Sequence, residues 1–490
     1  MSTDPSGGGL RADLGRLVRA LLDESQRDDN PISDAIREHL GVDVTELPVH
    51  GQELPSFELA NLQLGLDAAL ARPGFEARIV GVAGQGRRFS DVNLSDLISG
   101  SHFGIGAPEY MHAPVGPGKT LACLAWAVLL VTSPAGPLVS FVRRGDDNGP
   151  VPGLMVQAVG VDPDAAPRFL ADLRELMVEH DVFRGQVITI ETDRRGNRRV
   201  VFLERPEMDR ADLMLPDGVL ERVERQVIAP TEHREELLVR GRHLGRGLLL
   251  WGPPGTGKTH TVRYLTSRLT DATIVILSGA SLGLVGAFGN LARRLAPAVV
   301  VLEDVDLVAQ ERNFGPFGQS PVLFELMNEM SGLAEDADLS FILTTNRPDA
   351  LEPALAARPG RVDLAVEIPL PDAASRRRLL ELYARGLELD GVDLEAVVAR
   401  AEGFTASFFK ELLRKATLAS VSEGRPTVTG ADVDGALDEL MAENAALTCV
   451  LLGSGAPGAL AAPGPHAWMQ QGGGIQTVML TSRPGGGTVS

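Results

Sequence analysis

At 490 residues and 44% hydrophobic content, the chain is long enough for about two to four domains, each with a core of its own. A formal net charge of −19 argues against a nucleic-acid surface. Two cysteines, Cys123 and Cys449, far apart and without histidine or cysteine neighbours at metal spacing, exclude a disulfide framework and a structural zinc site, so a reducing cytoplasm is the expected setting. The polar, glycine-rich residues 1–9 carry no secretory signal, and the most apolar run, residues 121–131, is shorter than the roughly 20 residues of a membrane-spanning helix.

In chain order, Leu10, Leu14, Leu17, Val18, Leu21 and Leu22 recur at helical spacing and give residues 1–42 the character of an N-terminal helical segment. Its apolar stripe has two possible seats, the chain's own N-terminal domain or another subunit. A second helix is expected over residues 32–40, ended by Gly41, and a third over 57–70. Residues 43–210 read as an α+β domain, with a strand at 79–82, a helix at 166–179, and a β-hairpin whose arms, 187–190 and 199–203, flank a turn at 194–197. The run 121–131 reads as a core helix or a pair of short strands. No catalytic constellation stands out in this region. Gly116-Pro117-Gly118-Lys119-Thr120 echoes a phosphate loop, but Ala113 stands where its first glycine belongs and Pro114 and Pro117 crowd the approach. A proline-rich turn capping a helix from about Thr120 is the preferred reading. Residues 205–216 look like a linker, leading to two charged helices at 218–227 and 231–241.

The richest stretch comes next. Leu248 to Trp251 form an apolar strand that runs directly into Gly252-Pro253-Pro254-Gly255-Thr256-Gly257-Lys258-Thr259, which fits G-x-x-x-x-G-K-[ST]. Glycines let backbone N–H groups converge on phosphate oxygens, Lys258 supplies a compact charge, and Thr259 offers a hydroxyl to Mg²⁺. A helix beginning at His260 would aim its N-terminal dipole at the phosphates. Lys258 is one of only four lysines in an arginine-rich chain, retained where a planar guanidinium cannot fit among phosphate oxygens. Downstream come a strand at 273–277, a helix at 287–295 and a fully apolar strand at 298–302 ending in Glu303-Asp304-Val305-Asp306. Carboxylates at the carboxyl end of a buried parallel strand sit where such sheets bind ligands. A further strand, 339–345, ends at Asn346, an amide suited to orienting an attacking water, and Arg358-Pro-Gly-Arg361 places two guanidinium groups on a loop.

In this order the motifs resemble the ATPase module of the AAA family. Residues 252–259 are similar to its Walker A loop, 299–306 to Walker B, Thr344-Thr345-Asn346-Arg347-Pro348 to sensor 1, 354–363 to its second region of homology, and 324–332 to the helix before sensor 1. The resemblance covers roughly residues 215–443, under half the chain. It implies an α/β fold, a P-loop NTPase parallel sheet over residues 211–371 with a helical lid over 372–446, preceded by the α+β region. It implies ATP and Mg²⁺ as ligands, with Gly252 through His260 as the nucleotide-binding run, Thr259 and Glu303 at the metal, and Glu303, Asp304, Asn346, Arg358 and Arg361 as the catalytic set. Arg358 and Arg361 occupy the positions of arginine fingers, which reach a neighbouring subunit and imply a homo-oligomeric ring, usually a hexamer.

Two departures qualify the resemblance. Walker B ends Glu303-Asp304, the reverse of the usual order, and looks like the branch that includes the mitochondrial chaperone for respiratory complex III. Asp304 is one methylene shorter than Glu, which points to slow turnover. Leu284-Val285-Gly286 puts leucine where polypeptide-threading members carry an aromatic, and leaves threading in doubt; residues 312–318, with Phe314 and Phe317, read either as a channel loop or as a surface loop. Helices are expected at 373–386, 394–401, 405–422 and 430–444, with Gly403-Phe404-Thr405-Ala406-Ser407 resembling the sensor 2 helix start. Residues 447–490 read as a disordered Gly/Pro/Ala-rich tail. No H-E-x-x-H motif occurs in the sequence, which removes a zinc-protease reading. Two functions remain: an ATP-hydrolysing remodeller or chaperone whose N-terminal domain selects a protein client, and a nucleotide-gated scaffold with little turnover.

Overall fold

The computed structural model describes residues 30–83, 92–99, 103–145, 153–192, 198–242, 244–309, 326, 329, 338–349, 351 and 362–442. The expected helix over residues 10–22, the loop 312–318, the arginines Arg358 and Arg361, and the tail 447–490 lie outside them. The chain divides into two compact units, one holding the residues up to Leu213, Asp217–Gly252 and Lys258–Ile368, the other Met214–Pro216, Pro253–Gly257 and the residues from Pro369 onward.

The first unit begins with α1 (Pro31–Leu40), whose start is capped by Asn30 Oδ1 accepting from the Ser33 N–H at 3.0 Å and whose end is turned by Gly41 at φ 68°. Then come β1 (His50–Leu54), α2 (Leu59–Leu70), β2 (Glu76–Ala83), α3 (Leu94–Ser99), β3 (Gly104–Gly106), β4 (Glu109–Gly116), β5 (Lys119–Ser133), β6 (Gly136–Arg144), β7 (Leu154–Gly160) and α4 (Ala165–Glu179). The strands form an antiparallel sheet in the order β1-β7-β6-β5-β2-β3, with β4 also paired to β5. Along β5, Ala127, Leu129 and Val131 pack with α2 and α4, whereas Trp126, Val128 and Leu130 pack with α1 and α3. Burial on both faces makes a strand apolar at every position and erases its two-residue alternation. That is why the run 121–131, expected as a helix or two short strands, is one long strand. The expected cap at Gly116–Thr120 is corrected likewise: β4 leads into it, and it is the turn of the β4–β5 hairpin, with Gly118 at φ 64°.

The second sheet is built from β8 (Val187–Thr192), β9 (Arg198–Leu203), β10 (Arg246–Trp251), β11 (Thr273–Ser278), β12 (Ala298–Glu303), β13 (Leu339–Thr345) and β14 (Leu364–Glu367), in the order β14-β10-β13-β12-β11-β8-β9. All neighbours are parallel except the β8–β9 hairpin. Between strands run α5 (Val219–Glu232), α6 (Arg234–Val239), α7 (Lys258–Arg268), α8 (Val285–Arg294) and the short α9 (Asp306–Ala309). The hairpin expected within the N-terminal α+β domain is thus an edge of this sheet, because β8 hydrogen-bonds β11 from Val187 to Thr189. The two sheets of the unit are tied by Phe57, whose ring lies 5.5 Å from that of Phe288 and 6.1 Å from that of Phe183. Arg294, at the end of α8, adds ion pairs to Glu58 at 2.6 Å and Asp181 at 2.9 Å. Both carboxylates are almost wholly buried, so the guanidinium is what makes their burial tolerable.

The second unit comprises α10 (Ala373–Tyr383), β15 (Glu388–Asp390), α11 (Leu394–Arg400), α12 (Ala406–Ser422), β16 (Thr427–Thr429) and α13 (Gly430–Ala442). Phe404, Phe408, Phe409, Leu412 and Leu437 form its core. Asp372 and Asp393 cap α10 and α11 by accepting from the N–H groups of Ser375 and Ala396. The small parallel pair β15–β16 has no counterpart in the purely helical lid that the sequence suggests.

Candidate functional site

Strand β10 carries the chain to the carboxyl rim of the parallel sheet, where Gly252 adopts φ 150°. A Cβ there would sit 2.2 Å from the Ile368 carbonyl oxygen, so no other residue fits. The chain returns to the first unit at Lys258, the first residue of α7, whose ammonium donates to the Gly252 carbonyl at 2.8 Å. Lys258 is 6% exposed, and burial draws its pKa down to about 8 against the opposing pull of the Asp304 and Asp306 charges. Thr259 and His260 come next, on the exposed side of the first helical turn, and the Thr259 side chain hydrogen-bonds the Glu303 carboxylate.

Residues Pro253–Gly257 belong to the second unit, with Gly255 at φ 77° and Gly257 at φ 114°. The Thr256 hydroxyl donates to the Pro253 carbonyl at 2.9 Å and closes the turn, while Pro254 is exposed. The Gly255 carbonyl accepts from the Ser407 N–H at 3.2 Å, and a Cβ on Gly255 would lie 2.3 Å from Ser407 Oγ. The start of α12 is therefore bound to the loop inside this unit.

The acidic turn stands at the same rim as Lys258, because β12 and β13 run parallel with Leu302 opposite Leu343. Glu303 holds one carboxylate oxygen, Oε1, buried with no hydrogen-bond partner, and its pKa is raised first by burial and then by the neighbouring Asp304 charge, with the Thr259 bond pulling the other way. Asp304 has φ 52°, the one positive value at a non-glycine residue among those described. Such a conformation costs about 1 to 3 kcal/mol unless its surroundings impose it. They do: its N–H donates to Thr344 Oγ1 at 3.0 Å, the next N–H, of Val305, donates to the Thr344 carbonyl at 3.0 Å, and Asp304 Oδ1 accepts from the Asn346 side-chain amide at 3.2 Å. Asp306, 4% exposed, accepts from the Thr345 hydroxyl at 2.9 Å and the Asn346 N–H at 3.1 Å.

In the first unit, then, Gly252, Lys258, Thr259, Glu303, Asp304 and Asn346 converge at one rim, while His260 lies on the outer side of the turn. Thr344, Thr345 and Asp306 carry no role that their residue types announce, although all three lie inside motifs that the sequence displays. Leu284 and Val285, the positions of the threading triplet, are buried in the core of the parallel sheet. Among the described residues no helix is long and apolar enough to cross a membrane.

Residues 248–370 match the model of the ATPase family associated with various cellular activities (AAA). The chain is 32% identical over 276 residues to proteasome-activating nucleotidase 2 of Haloferax volcanii, a match covering 53% of this chain and 66% of that protein. It is 31% identical over 269 residues to the ATP-dependent zinc metalloprotease FtsH of Thermus thermophilus, over 52% and 43% of the two chains. To the proteasome-activating nucleotidase of Methanocaldococcus jannaschii it is 29% identical over 335 residues, covering 61% and 77%. The chain spans less than two thirds of the Haloferax and Thermus relatives. It carries an ATPase domain of the AAA family, on a parallel α/β sheet.

Proposed function

We propose, from the AAA ATPase domain that residues 248–370 form, that this protein binds ATP with Mg²⁺, hydrolyses it, and uses the cycle as a ring-forming remodeller or chaperone of a protein client. The observation that carries the reading is a buried lysine ammonium within the field of Asp304 and Asp306, at the same rim as a buried Glu303 oxygen that has no protein partner. Two charges drawn out of water at one rim make sense together when an anion and a cation complete them. Gly252 holds a backbone conformation and a close approach that only glycine allows, which suits a loop that must lie against a phosphate.

On this reading Lys258 opposes the charge of the phosphates, and Thr259 and Glu303 are the residues that would hold Mg²⁺. The metal, when bound, supplies charge neutralisation on the phosphates. Asp304 Oδ1, held by the Asn346 amide, accepts the proton of the attacking water. The left-handed turn at Asp304 re-aims a carboxylate one methylene shorter than the usual Glu. The Glu303-Asp304 order supports placing the chain near the branch that includes the complex III chaperone. Arg358 and Arg361 complete a neighbour's site, which makes a homo-oligomer, most simply a hexamer, the active form, and the α+β region over residues 43–210 is the client-selecting part. Cys123 is a buried free thiol that burial pushes up to about 11, and a reducing, cytoplasmic setting is part of the proposal.

A second reading, a nucleotide-gated scaffold with little turnover, is favoured by one observation: Asp304 already spends an oxygen on Asn346. Steady-state ATPase assays across protein concentrations separate the two. Specific activity that climbs with concentration, and falls about a thousandfold in Arg361→Ala, supports the ring enzyme. Tight ATP binding without phosphate release at any concentration supports the scaffold and removes the first reading.

A further inference from the structure

Three carboxylates stand at the end of β12, and the proposed ATPase cycle uses two. The third, Asp306, is the most buried and makes no use of its position toward solvent. Both of its hydrogen bonds go to the end of the neighbouring strand: the Thr345 hydroxyl at 2.9 Å and the Asn346 N–H at 3.1 Å, both to Oδ1. Thr345 Oγ1, oriented by that donation, accepts in turn from the Arg347 N–H at 3.0 Å. The end of β13 and the two residues after it are thereby fastened, directly or through Thr345, to one oxygen atom.

The fastening has a second half. Thr344 takes the Asp304 N–H on its hydroxyl and the Val305 N–H on its carbonyl, so the Walker B turn and the strand end close on each other from both sides. The bond that these five contacts surround, Asn346 Nδ2 to Asp304 Oδ1, is the longest of the set at 3.2 Å and the most exposed to water. An exposed amide–carboxylate contact is weak by itself, whereas a buried carboxylate accepting two donors is strong and rigid. Dependence therefore runs one way: Asp306 holds the Asn346 backbone, and the backbone sets the side chain.

We propose that Asp306 is a positioning residue that fixes the Asn346 amide on Asp304, so that water, Asp304 and Asn346 keep one geometry through turnover. Its mechanistic meaning rests on the ATPase reading, but its structural content does not. Asp306 touches no substrate; it acts through Asn346.

The test compares Asp306→Ala, which removes the acceptor, with Asp306→Asn, which keeps Oδ1 and the side-chain volume. In Asp306→Ala, kcat is expected to fall about tenfold to a hundredfold, since a misplaced catalytic group loses orientation, while the Kd for a fluorescent ATP analogue shifts less than about threefold. Asp306→Asn should restore kcat to within about threefold of the parent, as a neutral acceptor in the same place. Hydrogen exchange on the nucleotide-free protein reads the positioning directly: amides in a peptide covering residues 339–349 should exchange about tenfold or more faster in Asp306→Ala and near the parent rate in Asp306→Asn. Parent-like turnover and exchange in Asp306→Ala would overturn the proposal. So would an Asp306→Asn variant as impaired as Asp306→Ala, or an Asp306→Ala variant whose faster exchange extends over the whole parallel sheet with ATP binding lost. If the parent protein hydrolyses no ATP, the enzyme reading fails, and the exchange comparison still decides what Asp306 does.

Discussion

Gly118-Lys119-Thr120 and Gly257-Lys258-Thr259 are the same tripeptide put to opposite uses. In the first, a glycine at φ 64° turns β4 into β5, and Lys119 is exposed and pairs with Gly116 across the hairpin. In the second, the lysine opens a helix, is buried, and donates to a carbonyl at the end of a parallel strand. A hairpin turn hands its N–H groups to the opposite strand, whereas the first turn of a helix has no internal partners for them. The tripeptide is therefore neutral, and the residues C-terminal to it decide its use: an unbroken apolar run after Thr120, a polar helical segment after Thr259. Composition marks both as two of only four lysines and does not separate them. The environment differs, and with it the chemistry.

The contrast breaks most visibly at the lysines. Lys258→Ala is expected to weaken ATP binding about a hundredfold or more, and Lys119→Ala to leave it within about twofold, as measured by calorimetry on matched samples. Equal losses would erase the distinction. At the glycines the expected effect is smaller and is read by chemical denaturation. Gly255→Ala combines a left-handed backbone with a clash on Ser407, about 2 to 5 kcal/mol, whereas Gly118→Ala meets open space and carries only the backbone cost of about 1 to 2 kcal/mol. A Gly255→Ala variant as stable as Gly118→Ala would show that the loop is not held by α12. The mildest probe is pH. With its pKa drawn from 10.5 to about 8, Lys258 loses its proton in the folded, nucleotide-free protein while an unfolded chain would keep it. Stability therefore gains with rising pH between about 8 and 10.5, because the buried charge is relieved, and ATP affinity declines over the same window. In Lys258→Met both trends should flatten.

Much of this is readable from the residues because the relevant signals are local. The phosphate loop lies between a strand and a helix in one continuous stretch, and Asn30, Gly41, Asp372 and Asp393 bound their helices as their chemistry directs. The hidden features depend on partners distant in sequence. The β8–β9 hairpin is legible as a hairpin but not as part of the parallel sheet, since Thr189 finds the Ile276 carbonyl 87 residues further on. Asp306 looks like one more acid in a cluster, because its partner Asn346 is 40 residues away. The left-handed turn at Asp304 has no sequence signal beyond the tolerance of Asp for that conformation. The strand β5 is obscured by its own burial, which removes the alternation that identifies strands.

The hairpin's placement bears on how this protein can be cut. A fragment beginning at residue 211, where the linker composition suggests a domain start, would leave behind β8 and bare the hydrogen-bonding edge of β11, whose sequence, Thr-Ile-Val-Ile-Leu-Ser, is short, β-branched and uncharged. An open edge of that composition invites pairing with other copies. The same cut removes Arg205, whose guanidinium donates to the carbonyls of Thr266, Leu269, Gly185 and Ala272 and secures the C-terminal end of α7. A cut that keeps Phe183, Gly185 and β8 leaves the β11 edge covered and Arg205 with its acceptors, and fragments that begin later are expected to aggregate.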